Sequence, residues 1–356
     1  AAGSSIIYAR SIPHLAEDLQ QQKPTVMIAV PRIFERIYSK LSAKLAQESA
    51  IKQKLFELAV DSGWALFQQQ QGAQHAGVKA QLLHPLLDRL VGAKVRSRFG
   101  GRLRFAVCGG AALSPQISRL FIGLGIPVIQ GYGLTEHSPT LSVNRVEDNI
   151  PASIGRAMPG MEVEIGGEDE ILARSPSVML GYWNNEHATA EVIDEDGWLH
   201  TGDKGRFDDE GHLYIIGRLK EILVLSNGEK VPPGDIELAI ATQAVINEVL
   251  IIGDARPYLS ALIVPDMDEL NKLAATLGIT ATGAALIPDS EIITHLLTIV
   301  NHSLADFPGY AKVQRIALID DEWSVANGML TPTLKLKRSV IYEQHKDEID
   351  ALYAEH

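Results

Sequence analysis

The feature that most limits the fold of this chain is a repeated order of strand, glycine turn and helix in its first half. Leu103–Val107 is predicted to form a buried strand, and Gly109 and Gly110 follow it as a tight turn. A helix is expected to begin next at Ser114, because serine is a favoured N-cap residue. Pro127–Gln130 is predicted as a second strand that a further glycine turn ends. Such alternation is typical of an α/β domain with parallel strands.

The residues before this repeat predict three helices and one strand. The helices are expected over Ile12–Gln22, from Arg32 to about Gln71, and over Lys79–Phe99, and a buried strand over Thr25–Val30. The charged residues within these helices are typical of solvated faces. A role at a membrane surface is the less favoured alternative.

The character of the sequence changes after Ile150. Short alternating strands are predicted over Met161–Ile165, Glu170–Arg174 and His212–Ile216, separated by glycine-rich and acidic turns. Residues 152–216 are therefore expected to form a β-rich subdomain. A smaller α+β unit is predicted beyond them, beginning with a hairpin about Asn227.

The composition excludes several classes of protein. A formal net charge of -12 over 356 residues argues against a nucleic-acid surface, because phosphate backbones require clustered Lys and Arg. Cys108 is the only cysteine, so an intrachain disulfide is excluded and a reducing, cytoplasmic compartment is expected. With no run of about 18 apolar residues, no membrane span is predicted. His200 and His212 are expected to be surface or turn residues.

Common catalytic motifs are absent, but five short segments stand in a distinctive order. No Gly-Lys dipeptide occurs, so the P-loop pattern fails, and GxSxG, HExxH and paired zinc cysteines do not occur either. The five segments are Cys108–Ala112, Gln130–Glu136, Trp198–Asp203, Gly217–Glu221 and Leu330–Arg338. In this order they resemble the AMP-forming acyl-CoA synthetase family through essentially the whole chain.

Within that family the chain most resembles the long-chain fatty acyl-CoA synthetases. Ile12–Leu19, Pro24–Arg32 and the helical insertion before Leu103 carry this likeness. The resemblance implies a ligase that makes acyl-AMP from a fatty acid and MgATP and then acyl-CoA from coenzyme A. Another adenylate-forming ligase with an aryl or amino acid substrate is one alternative, and a non-catalytic nucleotide- or acyl-binding module is the other. A homodimer and peripheral contact with the inner membrane face are left open.

The resemblance places the adenine of ATP between the two glycine turns, with Tyr132 stacking on it. Glycine leaves room for a planar ring to approach the backbone, although glycines that merely close turns are an equal alternative. The nucleotide-binding residues implied on these turns are Gly109, Gly110, Ala111, Gln130, Gly131, Tyr132 and Gly133.

Polar residues after the second turn and farther along are expected to contact ribose and phosphate. The resemblance implies that Thr135 contacts phosphate and that Glu136 holds Mg²⁺, a cation that prefers carboxylate, phosphate and water oxygens. An exposed helix-capping pair is the alternative. Asp203, expected at a hairpin edge, would accept both ribose hydroxyls, and Arg218 would reach ribose or phosphate. Lys220 matches the hinge about which the small domain rotates.

The C-terminal part carries the implied catalytic lysine. Lys335 is expected to neutralise the carboxylate and α-phosphate oxygens as the acyl-adenylate forms. Leu334 stands where many relatives have glycine, so Lys337 remains the alternative catalytic lysine. The hairpin residues Ser226, Asn227 and Gly228 are expected to line the pantetheine path of coenzyme A.

The resemblance also implies a domain division. Residues 1–151 would be the second half of a large α/β domain, 152–216 its β-rich subdomain, 217–220 the hinge and 221–356 a small mobile α+β domain. The family's Ser/Thr/Gly-rich phosphate loop does not occur in this sequence. The chain is therefore expected to be part of such an enzyme and inactive alone.

Overall fold

The computed structural model describes residues 3–11, 14–219 and 221–354. Two predictions fall outside these ranges, namely the start of the first helix at Ile12 and the hinge at Lys220. The chain divides into two compact units, one of residues 1–36 and 44–216 and the other of residues 37–43 and 217–356.

The first unit contains a five-stranded sheet in the order β1-β2-β3-β4-β5. Its strands are β1 (Val26–Ala29), β2 (Phe105–Cys108), β3 (Val128–Gly133), β4 (Thr140–Val143) and β5 (Arg156–Ala157). The pairs β1–β2 and β2–β3 are parallel, whereas β3–β4 and β4–β5 are antiparallel. Helices connect the parallel strands, which confirms the α/β prediction for this part of the chain.

The helices of this half are shorter than the sequence pattern predicts. They are α1 (Leu15–Gln22), α2 (Pro31–Ala46), α3 (Ala50–Gln70), α4 (Val78–Leu87), α5 (Ala93–Arg98) and α6 (Pro115–Gly123). The helical stretch predicted from Arg32 to about Gln71 consists of two helices, α2 and α3, because residues 47–49 interrupt it. The helix predicted over Lys79–Phe99 is present as a continuous helical run over residues 78–98, which includes a π-helical turn over Asp88–Gly92. There, Arg96 donates to both oxygens of Asp88 at 2.5 and 2.8 Å across the turn.

Glycine explains the close packing of α6 on α3. A Cβ at Gly63 would lie 1.9 Å from the carbonyl oxygen of Gly123. A larger residue at position 63 would therefore force the two helices apart. Phe121 of α6 meets the ring of Phe34 edge-on at 5.4 Å, and both side chains are fully buried. This contact holds the crossover helices on the sheet that carries the candidate site.

A second sheet has four strands in the order β6-β7-β8-β9 and belongs to the first unit up to Ile216, within β9. Its strands are β6 (Glu162–Ile165), β7 (Glu170–Arg174), β8 (Leu199–Phe207) and β9 (Leu213–Arg218). Helix α7 (Glu186–Val192) lies between β7 and β8 along the chain. The three predicted strands of this region are present, but β8 is an additional strand that the sequence pattern did not indicate.

The prediction for His212 is wrong. Its side chain is fully buried, with Nε2 2.9 Å from Asp148 and Nδ1 3.2 Å from Asp208. Both ring nitrogens therefore lie within hydrogen-bonding distance of carboxylate oxygens.

The second unit is an α+β arrangement, as predicted. A short hairpin of β10 (Leu223–Val224) and β11 (Lys230–Val231) precedes a three-stranded sheet of β12 (Ile246–Ile252), β13 (Leu259–Pro265) and β14 (Val313–Leu318). Its helices are α8 (Pro233–Ile240), α9 (Met267–Leu277), α10 (Ser290–Ser303), α11 (Arg338–Gln344) and α12 (Lys346–Ala351).

Both faces of this sheet are covered. Ile251 belongs to a core with residues of α8, α9 and α10, whereas the next residue, Ile252, belongs to a second core with residues of α11 and α12. Every residue of β13 is buried, as expected for a strand between two layers. No helix in the described part of the chain is long and apolar enough to cross a membrane.

Candidate functional site

The parallel pairing of β2 and β3 brings the two predicted glycine turns together. Cys108 is the register partner of Gln130, so the residues that follow them lie at the same end of this strand pair. A Cβ at Gly109 would lie 3.5 Å from the carbonyl oxygen of Gly131, an ordinary contact distance. Gly110 has a φ of +92°, a conformation that favours glycine. This edge is where open α/β sheets usually bind ligands.

One detail of this edge differs from the prediction. Residues 131–133 do not end the second strand, because β3 continues through Gly133 and pairs there with β4. Gly133 is needed for packing: a Cβ would lie 1.9 Å from the carbonyl oxygen of Pro139. The missing side chain at Gly133 therefore lets the chain fold back on itself, which is a structural reason for the glycine independent of any ligand.

Gln130 has a clear place in this framework. Its Oε1 accepts a hydrogen bond from the backbone N–H of Leu113 at 2.9 Å, and its Nε2 donates to the carbonyl of Pro151. The buried amide thus joins the loop after β2 to a distant segment. A direct contact between Gln130 and nucleotide stays a prediction.

Thr135 and Glu136 lie on a single helical turn just beyond the end of β3. Thr135 is exposed and Glu136 half-buried. The hydroxyl of Tyr182 donates to Oε1 of Glu136 at 2.8 Å. The sequence alone did not indicate Tyr182, because this tyrosine lies 46 residues beyond Glu136 along the chain, in a loop without a catalytic motif.

Tyr132 and Asp203 meet directly. The Tyr132 hydroxyl donates to Oδ2 of Asp203 at 2.5 Å, and the two side chains lie on different sheets of the first unit. Asp203 is 5% exposed and stands in the middle of β8, not at the hairpin edge that was predicted. Its backbone N–H donates to Oγ1 of Thr201 at 3.1 Å, which helps to fix the carboxylate in place.

The second unit holds the other predicted residues. Arg218 forms an ion pair of 3.6 Å with Glu221. The predicted hairpin is present, with Ser226, Asn227 and Gly228 exposed at its tip and Gly228 at a φ of +88°.

Lys335 lies in a tight loop of the second unit. Its backbone N–H donates to Oγ1 of Thr331 at 3.0 Å, and its carbonyl accepts from the N–H of Thr331 at 2.8 Å. Leu334 has a φ of +62°, the left-handed region in which glycine carries no Cβ penalty. The side chain of Leu334 packs against the core beneath α11 and α12, which offsets this strain.

Two family models match the chain. The AMP-binding enzyme model matches residues 1–183, which is more than half of the 356 residues, and the AMP-binding enzyme C-terminal domain model matches residues 220–356. The chain belongs to the AMP-binding enzyme family. This confirms the family that the order of the five sequence segments indicated.

Curated members of the family include close matches over almost the whole chain. The long-chain-fatty-acid–CoA ligase FadD15 of Mycobacterium bovis is 32% identical over 350 residues, or 97% of this chain and 57% of that protein. The peroxisomal long chain acyl-CoA synthetase 6 of Arabidopsis thaliana is 32% identical over a gapped alignment of 368 positions, which covers 96% of this chain and 50% of that protein. The chain thus spans little more than half the length of these relatives.

Solved structures of AMP-binding enzymes share the fold. The adenylation domain of a carboxylate reductase from Mycobacterium chelonae superposes with a TM-score of 0.73 at 22% identity, covering 98% of this chain and 50% of that one. ATP-bound MatB from Rhodopseudomonas palustris gives a TM-score of 0.57 at 19% identity, covering 95% of this chain and 54% of that one. At these identities the likeness concerns the fold alone.

Cys108 lies next to the glycine turn of this AMP-binding enzyme but is chemically protected. Burial, together with the negative charge of nearby Glu35, raises the pKa of its thiol to about 12. At pH 8 the fraction of Cys108 present as the reactive thiolate is then ~10³-fold lower than for an ordinary cysteine. We expect native protein to resist Ellman's reagent and unfolded protein in guanidinium to react at once. Rapid native labelling would show that β2 opens readily.

Proposed function

We propose that the whole protein is an AMP-forming fatty acid–CoA ligase. In the first half-reaction the fatty acid carboxylate attacks the α-phosphorus of ATP, which forms acyl-AMP and releases pyrophosphate. In the second, the thiol of coenzyme A attacks the acyl carbonyl, the thioester forms, AMP leaves and the thiol proton passes to solvent. The protein contributes positioning and electrostatic stabilisation and forms no covalent intermediate.

The observation that carries this proposal is the contact between Tyr132 and Asp203 beside the paired glycine turns. Gly109 adjoins Gly131, the next residue is Tyr132, and its hydroxyl holds the Asp203 carboxylate. A planar base and a ribose diol are neighbouring parts of one nucleotide. In our proposal the turn residues Gly110 and Ala111 border the adenine together with Gln130 and Gly133 of β3, and Asp203 accepts the ribose hydroxyls.

The residues after β3 fit the phosphate end of the same nucleotide. The exposed hydroxyl of Thr135 would donate to phosphate oxygen. The half-buried carboxylate of Glu136 suits Mg²⁺, which usually keeps water and phosphate among its ligands. Across the described residues, no group of three or more His, Cys, Asp or Glu side chains is placed to hold a metal, so phosphate oxygens would complete the set. Mg²⁺ bound with ATP would neutralise phosphate charge.

The second unit supplies the remaining proposed roles. Lys335 would neutralise the carboxylate and α-phosphate oxygens during the first half-reaction, and Arg218 would contact ribose or phosphate. Rotation about Lys220 would then present Ser226, Asn227 and Gly228 to the pantetheine arm of coenzyme A.

The chain length of the preferred acid tests this function directly. We expect the whole protein to show its highest kcat/KM with acids of roughly twelve or more carbons, since each buried methylene contributes ~0.8 kcal/mol. The names of the relatives and the motif resemblance both support this substrate class. The measurement is pyrophosphate release with acids of increasing length, at saturating ATP and coenzyme A.

Other outcomes of this assay would identify the alternatives. A maximum with acetate, benzoate or an amino acid would contradict the long-chain assignment while leaving the AMP-forming chemistry intact. A folded whole protein that binds ATP but releases no pyrophosphate with any acid would instead support a non-catalytic binding module. Homodimer formation and peripheral membrane contact stay predictions.

A further inference from the structure

A two-pronged ion pair joins α8 to the first residue of α11. Nη1 and Nη2 of Arg338 donate to the two carboxylate oxygens of Glu237 at 2.7 and 2.6 Å. The Glu237 side chain is only 12% exposed and that of Arg338 24%. The planar guanidinium matches a carboxylate in two parallel hydrogen bonds, a geometry that the single ammonium of lysine cannot reproduce.

The carboxylate of Glu237 is also tied to the sheet. Oε1 accepts a hydrogen bond of 2.8 Å from the backbone N–H of Ile251 in β12. Burial raises the pKa of Glu237, and the Arg338 guanidinium opposes this effect. The pair therefore connects three elements, α8, β12 and α11, at one point. The negative charge of the buried Glu237 carboxylate depends on the neighbouring Arg338 guanidinium.

The loop that contains Lys335 ends at the Glu237–Arg338 ion pair. Lys335 precedes Arg338 by three residues, and hydrogen bonds with Thr331 hold its backbone from both sides. The N–H of Lys337 donates to the carbonyl of Met329 at 2.8 Å, which closes the loop just before Arg338. The side chain of Leu334 packs against the core below the loop. The backbone from Met329 to Arg338 thus forms a short, internally bonded unit. Met329 and Leu330 anchor its start in the core, and the Glu237–Arg338 pair fastens its end to α8 and β12. Nε of Arg338 also lies 3.7 Å from a carboxylate oxygen of Glu221.

We propose that the Glu237–Arg338 pair is a positioning device that sets the location of Lys335 during acyl-adenylate formation. This role rests on the proposed function, because it acts through Lys335. A long, exposed lysine side chain depends on the placement of its own backbone, and a shift of about 1 Å at a reacting charge can cost ~10²-fold in rate. Neither Glu237 nor Arg338 contacts substrate in this role.

The test uses the whole protein with Arg338→Lys, which keeps the charge and loses the fork. Arg256→Lys is the matched control, since Arg256 makes an exposed ion pair of 3.0 Å with Asp350 in the same unit. ATP–pyrophosphate exchange reports the first half-reaction, and thioester formation from synthetic acyl-AMP reports the second. We expect Arg338→Lys to lower the kcat of exchange by ~10–100-fold. The KM for ATP and the second half-reaction should change by less than about 3-fold.

A double-mutant cycle separates positioning from simple support of the fold. In a Lys335→Ala background, Arg338→Lys should lower exchange no further, because the group being positioned is already absent. An equal loss in both backgrounds, or a parallel loss of both half-reactions, would overturn the proposal. If wild-type protein shows no exchange at all, the proposed function fails and this role fails with it. Active wild-type protein with an unaffected Arg338→Lys variant overturns the positioning role alone.

A readout without catalysis guards against an unstable variant. Endoproteinase Lys-C cuts after Lys335 and Lys337, and Glu237→Gln adds no new site for it. We expect cleavage there to become ~10-fold faster in Glu237→Gln, because the released loop opens more often. Cleavage after Lys272, on the exposed face of α9, should be unchanged. Faster cleavage both in the Lys335–Lys337 segment and after Lys272 would indicate general unfolding. It would contradict the proposal that the Glu237–Arg338 pair holds this loop locally.

Discussion

Replacing Lys335 with alanine in the whole protein is expected to slow acyl-adenylate formation by ~10²–10³-fold, the effect of removing one charge contact in a transition state. The loss should appear in ATP–pyrophosphate exchange. Thioester formation from preformed acyl-AMP should persist, because the proposed rotation about Lys220 moves this lysine away before the second half-reaction. The split between the two half-reactions is the diagnostic result.

Lys337→Ala is the matched control for this prediction. Both lysines are exposed on the same short segment, whereas Leu334 and Leu336 pack inward. The backbone of Lys335 lies within the bonded loop, and Lys337 is the residue just before α11. We expect Lys337→Ala to change exchange by less than about 3-fold. The assignment of Lys335 would be wrong if Lys337→Ala abolished exchange and Lys335→Ala did not.

Replacing Asp203 should cause the largest loss of nucleotide affinity. Two charge-assisted hydrogen bonds to the ribose contribute ~1.5–3 kcal/mol each, so Asp203→Ala should weaken ATP binding by ~10²–10⁴-fold. Titration calorimetry with ATP, and with AMP for comparison, measures the change. Asp203→Asn preserves the shape of the buried side chain and removes the charge, so a smaller loss in the same direction is expected.

The hydrogen bond from Tyr132 requires a control of its own. Asp203→Ala leaves this buried hydroxyl without its carboxylate acceptor, at a cost of about 1–3 kcal/mol in the free energy of unfolding. Tyr132→Phe removes the same hydrogen bond but keeps both the ring and the carboxylate. We therefore expect Tyr132→Phe to lower the melting temperature and to leave ATP affinity within about 3-fold of wild type. Comparable affinity losses in both variants would refute direct ribose binding by Asp203.

Some of the fold could be predicted because local chemistry decides it. Short apolar runs predict the strands Val26–Ala29 and Phe105–Cys108, and the glycines at 109 and 110 predict a turn. The burial predicted for the first strand is wrong, since Val26 is 38% and Ile28 81% exposed. Register follows from these choices, since parallel neighbours place their carboxyl ends at one edge. The proximity of the two glycine segments was therefore accessible from the sequence, whereas the continuation of β3 through Gly133 was not.

Strand β8 shows where such reasoning ends. The residues facing inward along it include Thr201, Asp203 and Gly205, which are buried without being strongly apolar. Strand prediction depends on alternating hydrophobicity, so a strand whose buried positions are polar or small gives no signal. The position of Asp203 in mid-strand, and its contact with Tyr132, followed only from the packing of two sheets.

The sequence by itself determined the family, the order of its motifs and the α/β class, because these depend on residue identity and on spacing along the chain. Tertiary structure alone decided which distant charges meet. Glu237 and Arg338 stand 101 residues apart, and His212 lies 64 residues from Asp148. Nothing in local propensity distinguishes such residues from solvated surface charges. Only the chain's folded path determines whether an ionisable group meets a partner on burial, and unpaired burial would cost too much free energy to persist.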